Sequence, residues 1–446
     1  MLDRFGLFDA RVPRYTSYPP ANHFVPGDGA RYQAAWLAGV PEGASVSVYI
    51  HVPFCKRLCW FCACRTQGTQ TLRPVQAYVA HLLAEIAAVG RHLPAGVRMS
   101  RLHLGGGTPT LLDAESMARL LAAVRTAFAP AADFVLSVEI DPTEAATDLL
   151  DVLLAHGMTR ASIGVQDFAP QVQEAIGRAQ SLAQTERVAA YLRDGGVGSL
   201  NLDLLYGLPR QTPETFAATL ESVATIAPDR LALYGYAHVP WVSKRQVMIR
   251  EADLPDPRAR FRLSEQARLR LSKAGYVPVG IDHFALPHDA LATAARRGVL
   301  RRNFQGYTDD EAPVLIGLGA SAISRFPQGY VQNAAATSAY QARIAAGSLA
   351  GDKGYAMTAQ DALAARMIED LMCHYALDID ALCTGFPTQT ATVQAVAARL
   401  VAAFDGAFRV SACGPALLLD AYPLVRIIAH SVDRFRSEVA SHSAAV

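Results

Sequence analysis

Residues 49–64 read YIHVPFCKRLCWFCAC, and four of the chain's seven cysteines, Cys55, Cys59, Cys62 and Cys64, fall within this stretch. A thiolate is the metal-binding form of cysteine, so several on one short loop can wrap a single metal or cluster. Cys55, Cys59 and Cys62 form a C-x3-C-x2-C triplet. Three thiolates cover three corners of a cubane 4Fe–4S cluster and leave one iron open, whereas clusters that only carry electrons normally take four cysteines. An open iron implies chemistry at that iron. A disulfide framework is disfavoured, because Cys373, Cys383 and Cys413 are scattered far away and nothing marks secretion. Zinc stays open as an alternative, since His51 can complete a Cys3His site. Against it, structural zinc more often splits its ligands between two distant pairs, and no second pair exists. Phe54, Trp60 and Phe61 supply the apolar shell that a cluster needs.

The loop follows a β-branched run, Ser45–Ile50, and from there strand and helix patterns alternate. Strands are expected over Arg101–Leu104, Phe134–Ile140, Arg160–Val165, Leu200–Leu204 and Leu231–Tyr236. Helices are expected over Gln76–Ala88, Ala114–Ala127, Glu144–Ala155, Leu182–Arg193 and Glu214–Thr225. Six such units fit an α/β fold built on a partial, TIM-like parallel (β/α) barrel, whose sites lie at the C-terminal ends of the strands. Tyr276–Ile281 can extend the sheet, and GLGASAIS within Asn303–Ser324 is a second Gly-rich stretch. Residues 1–44, with Pro13, Pro19, Pro20 and Pro26, read as an N-terminal arm with short helical pieces. The barrel and its extension take 45–350. From about Gly351 the pattern turns mainly helical through 446, clearest over Ala359–Tyr375 and Thr390–Ala403, with a strand–turn–helix tail to about Val439 and a frayed polar end, SHSAAV.

The 446 residues are 51% hydrophobic and 18% charged, ordinary for a soluble enzyme with a sizeable core. Lys+Arg 41 against Asp+Glu 40 leaves a net charge of +1, so no strong field gathers nucleic acid or membrane. A local basic group, Arg296, Arg297, Arg301 and Arg302, reads equally as a solvated face. No window approaches the roughly 18 apolar residues of a membrane span, and the N-terminus lacks a signal-type core. A reduced cysteine cluster without an export signal points to the cytoplasm.

Further motifs fall at or beside strand ends. Gly105, Gly106 and Gly107 precede Thr108 and Pro109, and glycines let backbone groups approach a ligand without a Cβ in the way. The stretch matches neither a P-loop nor the dinucleotide fingerprint. Glu139 ends a strand, where a carboxylate can accept from a ribose or an ammonium. Gln166 and Asp167 end the next, followed by Arg178 and by Asp203 in NLDL. Taken alone, each reads equally as a tight turn or a structural ion pair.

The cysteine loop resembles that of the radical S-adenosylmethionine enzymes. In its detail CxxxCxFCxC, with Tyr49 and His51 upstream, it is similar to the oxygen-independent coproporphyrinogen III oxidases of haem biosynthesis. The resemblance runs from about Pro13 to Asp433 and includes the arm motif PRYTSYPPA, with Pro20 where threonine is common. It implies that Cys55, Cys59 and Cys62 hold a 4Fe–4S cluster, with Cys64 a non-ligand. It also assigns Tyr49, Gly106, Glu139 and Ile323 to one S-adenosylmethionine. Phe61, Gly107, Thr108, Gln166, Arg178, Asp203 and Ala237 fall around a second. The implied reaction converts two propionates of coproporphyrinogen III to vinyl groups, with hydrogen abstraction by a deoxyadenosyl radical and loss of CO2. No protein acid–base pair is required, so no catalytic residue is expected beyond cluster and S-adenosylmethionine. The implied partners are coproporphyrinogen III and a low-potential donor such as flavodoxin or ferredoxin, acting on a monomer. A related haem-binding chaperone is the alternative; it carries HNxxYW where this chain has RRNFQGYT at Arg301–Thr308, and it usually lacks the fourth cysteine and the long arm. A non-catalytic zinc-binding barrel is the alternative from another class.

Overall fold

Side chains point alternately to opposite faces of a strand, and six strands use that alternation in the same way. They are β1 (Ser45–Val52), β2 (Arg98–Gly106), β3 (Ala129–Ile140), β4 (Met158–Gln166), β5 (Ser199–Tyr206) and β6 (Arg230–Gly235), adjacent and parallel in that order. The computed structural model describes residues 1–436 and Ala445. On one face, Val46, Val48 and Ile50 of β1 and Leu200, Leu202 and Leu204 of β5 are buried in one core with helix residues such as Leu82, Ile86 and Leu120. Each such side chain gains roughly 1.5–3 kcal/mol on leaving water. On the other face the alternate residues, among them Tyr49 and His51 of β1, Glu139 of β3, Asp203 of β5 and Tyr234 of β6, line one cavity of about 630 Å³. A flat sheet cannot bring β1 and β6 to the same cavity wall, so the sheet curls as a partial barrel.

Among the described residues the sheet continues past both β1 and β6. Val314–Leu318 runs parallel beside β1, with Val314 opposite Val46 and Leu318 opposite Ile50. Beyond it Ile323–Phe326, Gly329–Asn333 and Gly351–Ala356 continue antiparallel to an edge at Val25–Pro26. Past β6, His283–Ala285 and Val277–Val279 form the other edge of this 13-stranded sheet. The extension expected over Tyr276–Ile281 is therefore short and antiparallel.

Two boundaries differ from the sequence reading. The helix expected from Glu144 begins at Thr147, because Asp141 Oδ1 accepts from the Thr143 amide at 3.0 Å and hydroxyl at 2.8 Å, a local turn that competes with helix. Gly351–Ala356, expected to open the helical region, is a strand of the main sheet. Its GDKGYA sequence carries no apolar alternation; it is held by pairing with Gly329–Asn333 and Val25–Pro26 and by the helix Gly29–Ala38, whose Gln33 Oε1 accepts from the Gly351 amide at 2.8 Å.

Helices begin in earnest at Ala359–His374, followed by Ile379–Gly385, Thr390–Ala403 and Val425–Val432. Their core contains Leu371, Leu400 and Ile428 together with Leu7, Tyr15 and Tyr18 of the N-terminal segment. Tyr15 and Tyr18 of the arm are thus core residues of the C-terminal layer. Tyr15 Oη donates to Asp433 at 3.0 Å, and Tyr18 Oη accepts from the Arg434 amide at 2.8 Å. The polar end expected over 441–446 lies outside the described residues, Ala445 apart. Among the described residues no helix is long and apolar enough to cross a membrane.

Candidate active site

The cysteine loop leaves β1 at its C-terminal end. Its neck is closed by backbone bonds, Gln67 N–H to Pro53 at 2.8 Å and Thr69 N–H to Cys55 at 3.0 Å. Its tip is held from outside: the Trp60 amide donates to Ile176 at 2.9 Å, Gln246 Nε2 to the Phe61 carbonyl at 2.7 Å and Ser243 Oγ to the Cys62 carbonyl at 2.8 Å. Trp60 and Phe61 pack against an apolar group that includes Val172, Ile176 and Leu208. The loop is therefore a framed element with an apolar back.

Cys55, Cys59 and Cys62 are free thiols on the wall of the cavity. The Cys64 amide lies 3.4 Å from Cys62 Sγ. Hydrogen bonding from Cys64, with Arg245 and Arg178 nearby, pushes the Cys62 thiol down to about 6, and Cys64 rises in turn. Burial raises the Cys55 thiol, against a hydrogen bond from Thr108. Cys59 receives Arg178 Nη1 at 3.5 Å. Among the described residues no three His, Cys, Asp or Glu converge on a single-ion site; a cubane asks for less, because each thiolate takes a different iron. The soft sulfur donors, the adjacent cations and the apolar backing fit such a cluster. The Cys3His zinc alternative loses its fourth ligand: His51 Nδ1 is bonded to the Tyr49 hydroxyl at 2.9 Å and Nε2 to the Arg65 carbonyl at 3.1 Å. Burial lowers the His51 pKa and keeps the ring neutral.

The glycine strip ends β2 beside this loop. A Cβ on Gly105 would meet Glu139 Oε1 at 2.5 Å, one on Gly106 the His51 ring at 2.6 Å, and one on Gly107 the Phe54 carbonyl at 2.5 Å. The space that glycine frees is thus taken first by the protein's own acid, imidazole and loop backbone. Glu139 Oε2 accepts from the Gly106 amide at 3.1 Å and Oε1 lies 3.3 Å from His103 Nε2. Burial would raise this carboxyl, but His103 and the Gly106 amide outweigh it and hold it below its ordinary value. Glu139 is therefore ionised at neutral pH on the cavity wall.

Around the rest of the mouth stand Phe61, Gly107, Thr108, Gln166, Arg178, Asp203 and Ile323, all on the same cavity. Gln166 takes a positive φ of 71° at the end of β4. Burial and Glu139 push Asp203 up to about 6, although Ser162 Oγ donates to it at 3.0 Å and Asn201 Nδ2 at 2.7 Å. Ala237 is the exception among the expected residues. It lies off the cavity wall, with its carbonyl accepting from Gln246 Nε2 at 3.0 Å. Asp167, expected only as a neighbour of Gln166, is buried on Gln211 and Thr219 at 2.6 and 2.8 Å.

Other residues carry no local signal. Asp309 closes the base of the barrel, accepting from Arg160 at 2.6 and 2.8 Å and from Arg101 at 3.3 Å. Arg302, which reads in the sequence as part of a basic face, is instead buried, 3.3 Å from Asp282 and 4.3 Å over the Tyr307 ring. The following Asn303, Phe304 and Gln305 reach the cavity. The clamps Ser243 and Gln246 come from some 180 residues downstream of the loop they hold; nothing local in the sequence announces such a contact.

Comparison with known proteins agrees with this arrangement. Residues 49–223 match the model of the radical SAM superfamily. The chain is 51% identical to the oxygen-independent coproporphyrinogen III oxidase of Paracoccus denitrificans, over 100% of this chain and 99% of that one. It is 41% identical to the enzyme of the same name from Escherichia coli, over 82% of this chain and 80% of that one. The solved structure of the Escherichia coli coproporphyrinogen III oxidase, described as a radical SAM enzyme, superposes with a TM-score of 0.90 at 37% identity, covering 96% of this chain and 100% of that one. Identity at this level over the whole length, with the cysteine triplet, the glycine strip and Glu139 on one cavity wall, makes this chain a member of the oxygen-independent coproporphyrinogen III oxidases, within the radical SAM superfamily.

Proposed function

We propose that this chain is an oxidoreductase that decarboxylates two propionates of coproporphyrinogen III to vinyl groups, giving protoporphyrinogen IX and consuming two S-adenosylmethionine molecules. The observation that carries the reading is the convergence of Cys55, Cys59 and Cys62 with Gly106, Thr108 and Glu139 on one cavity at the C-terminal ends of parallel strands. A cluster in that loop supplies one-electron reductive cleavage of S-adenosylmethionine when bound. What the chain's own residues contribute is placement and shelter. Tyr49, Gly106, Glu139 and Ile323 are assigned to the first S-adenosylmethionine, where ionised Glu139 offers acceptors to a hydroxyl or ammonium. Phe61, Gly107, Thr108, Gln166, Arg178 and Asp203 are assigned to the second, with Ala237 acting through the clamp on Phe61. The ion-paired base formed by Asp309, Arg160 and Arg101 closes the far end against water, which a radical reaction requires. Removing hydrogen from a propionate by a carbon radical needs no protein base.

The same reading includes a cytoplasmic monomer served by a low-potential donor such as flavodoxin or ferredoxin. It divides the chain into an arm over 1–44, a barrel and extension over 45–350 and a mainly helical unit over 351–446. The test is an anaerobic assay of reconstituted protein with coproporphyrinogen III, S-adenosylmethionine and dithionite, with protoporphyrinogen, methionine and 5′-deoxyadenosine as expected products. Haem binding without decarboxylation would promote the chaperone instead.

A further inference from the structure

Residues 241–250 read WVSKRQVMIR and have two unlike sides. The inward side holds the cysteine loop: Ser243 Oγ to the Cys62 carbonyl at 2.8 Å, Gln246 Nε2 to the Phe61 carbonyl at 2.7 Å, Arg245 Nη1 to Thr66 Oγ1 at 2.8 Å. The outward side is apolar and uncovered, with Trp241 55%, Val242 65%, Val247 69% and Met248 55% exposed. Single exposed apolar residues are ordinary, but several large ones in one short segment mark a contact surface. Tryptophan, methionine and arginine are the types enriched at such surfaces.

The rim is basic. Lys244 and Arg250 are exposed, and Arg11 lies 6.0 Å from the Trp241 ring. Of the acids beside it, exposed Glu251 faces His238 at 3.4 Å, and Asp253 is shared between Arg210 at 3.2 Å and Arg250 at 4.0 Å. An apolar centre with a cationic rim is complementary to an acidic protein, and such fields speed encounter. The patch is small, which suits a brief contact; electron-transfer complexes sit at the low end of interface size, under roughly 1,200 Å².

We propose that Trp241, Val242, Val247 and Met248, ringed by Arg11, Lys244 and Arg250, are the docking surface for an acidic, low-potential electron-carrier protein that reduces the cluster held by the loop behind them. The proposal rests on the reading that Cys55, Cys59 and Cys62 hold a reducible cluster. In each encounter the reduced carrier loses one electron and the cluster gains it, and no bond of the protein is made or broken. The side-chain bonds of Ser243 and Gln246 to the Cys62 and Phe61 carbonyls hold the segment directly against the cysteine loop, so a partner seated on its outward side is one segment away from that loop.

The test compares the reconstituted holoenzyme with two double variants, Val242→Asp with Val247→Asp and Lys244→Glu with Arg250→Glu, using purified flavodoxin as the probe. Flavodoxin affinity and flavodoxin-driven S-adenosylmethionine cleavage should fall about tenfold or more in both variants, the size expected for losing central contacts. Iron content and dithionite-driven cleavage should match wild type, and wild-type affinity should drop as salt rises. Unchanged flavodoxin affinity in both variants overturns the proposal. So does a parallel loss of dithionite-driven porphyrinogen turnover, which would assign the patch to substrate. A wild type that dithionite reduces but flavodoxin neither binds nor reduces overturns the docking surface alone; a wild type that takes up no cluster overturns the cluster reading and the docking surface with it.

Discussion

Arg178 Nη1 stands 3.5 Å from Cys59 Sγ and 3.1 Å from Asp141 Oδ2, so one buried guanidinium ties the cysteine loop to the end of β3. Its Nε donates to Gln180 Oε1 at 3.1 Å and its Nη2 to the Gly164 carbonyl at 2.8 Å. A planar fork with five donors can serve four partners; an ammonium cannot. Arg178→Met should leave half-buried Asp141 without its cation and lower stability by about 2 kcal/mol, with Arg178→Lys intermediate. Denaturant midpoints of the apo proteins measure this, and a Met variant as stable as wild type would sink the structural part of the argument.

The cysteines divide three to one. Under the assignment proposed above, Cys55→Ser, Cys59→Ser and Cys62→Ser should each lose the cluster, whereas Cys64→Ser should keep it and retain the backbone amide that lies 3.4 Å from Cys62 Sγ. Iron content and visible absorbance after anaerobic purification report the outcome. The same preparation settles the metal: iron is expected, and zinc without iron would revive the alternative that His51's hydrogen bonds argue against.

Glu85 anchors the sheet's extension to the helix Arg73–His92. Its carboxylate accepts from the Gly319 amide, Asn333 Nδ2 and Tyr340 Oη, each at 2.7 Å. Glu85→Leu strands three buried donors, a cost of about 3 kcal/mol or more. Glu85→Gln should keep most of that stability, since one amide oxygen still serves two donors. Equal loss in both variants, read from urea midpoints, would mean that volume and not hydrogen bonding holds the site.

The parts of this fold legible in the sequence are those written locally. Val46, Val48 and Ile50 alternate because one face of β1 is core, and Tyr49 and His51 are polar because the other face is cavity. Cys55, Cys59 and Cys62 are close in sequence because one loop must present them together. Hidden parts are long-range. Gly351–Ala356 is a strand because it pairs between Gly329–Asn333 and Val25–Pro26, with the helix Gly29–Ala38 on it, and no residue within GDKGYA says so. Arg302 belongs to Asp282 and Tyr307, not to the arginines beside it in the sequence. The glycine strip was legible as close approach, but the sequence does not say that Glu139, His51 and Phe54 make that approach.

Asp203 gives the site a pH dependence whose sign can be worked out. Burial and the neighbouring Glu139 push it up to about 6, above the ordinary aspartate value of roughly 3.9. Between those two pH values the folded chain keeps a proton that the unfolded chain has released. Stability therefore falls as pH rises through that window, and above about 6 the ionised group costs about 2 kcal/mol at this partly open cavity wall. Asp203→Asn should remove that decline and be more stable than wild type at pH 7. Binding runs the other way: if the ionised carboxylate accepts from a ribose, wild-type affinity for S-adenosylmethionine should be flat above about pH 6 and weaken below it, whereas Asp203→Asn should bind weakly at every pH. Chemical denaturation and ligand titration from pH 4.5 to 7.5 compare the two proteins. Parallel stability slopes would show that Asp203 titrates as an ordinary surface acid, and the placement of an ionised carboxylate opposite Glu139 would lose its energetic basis.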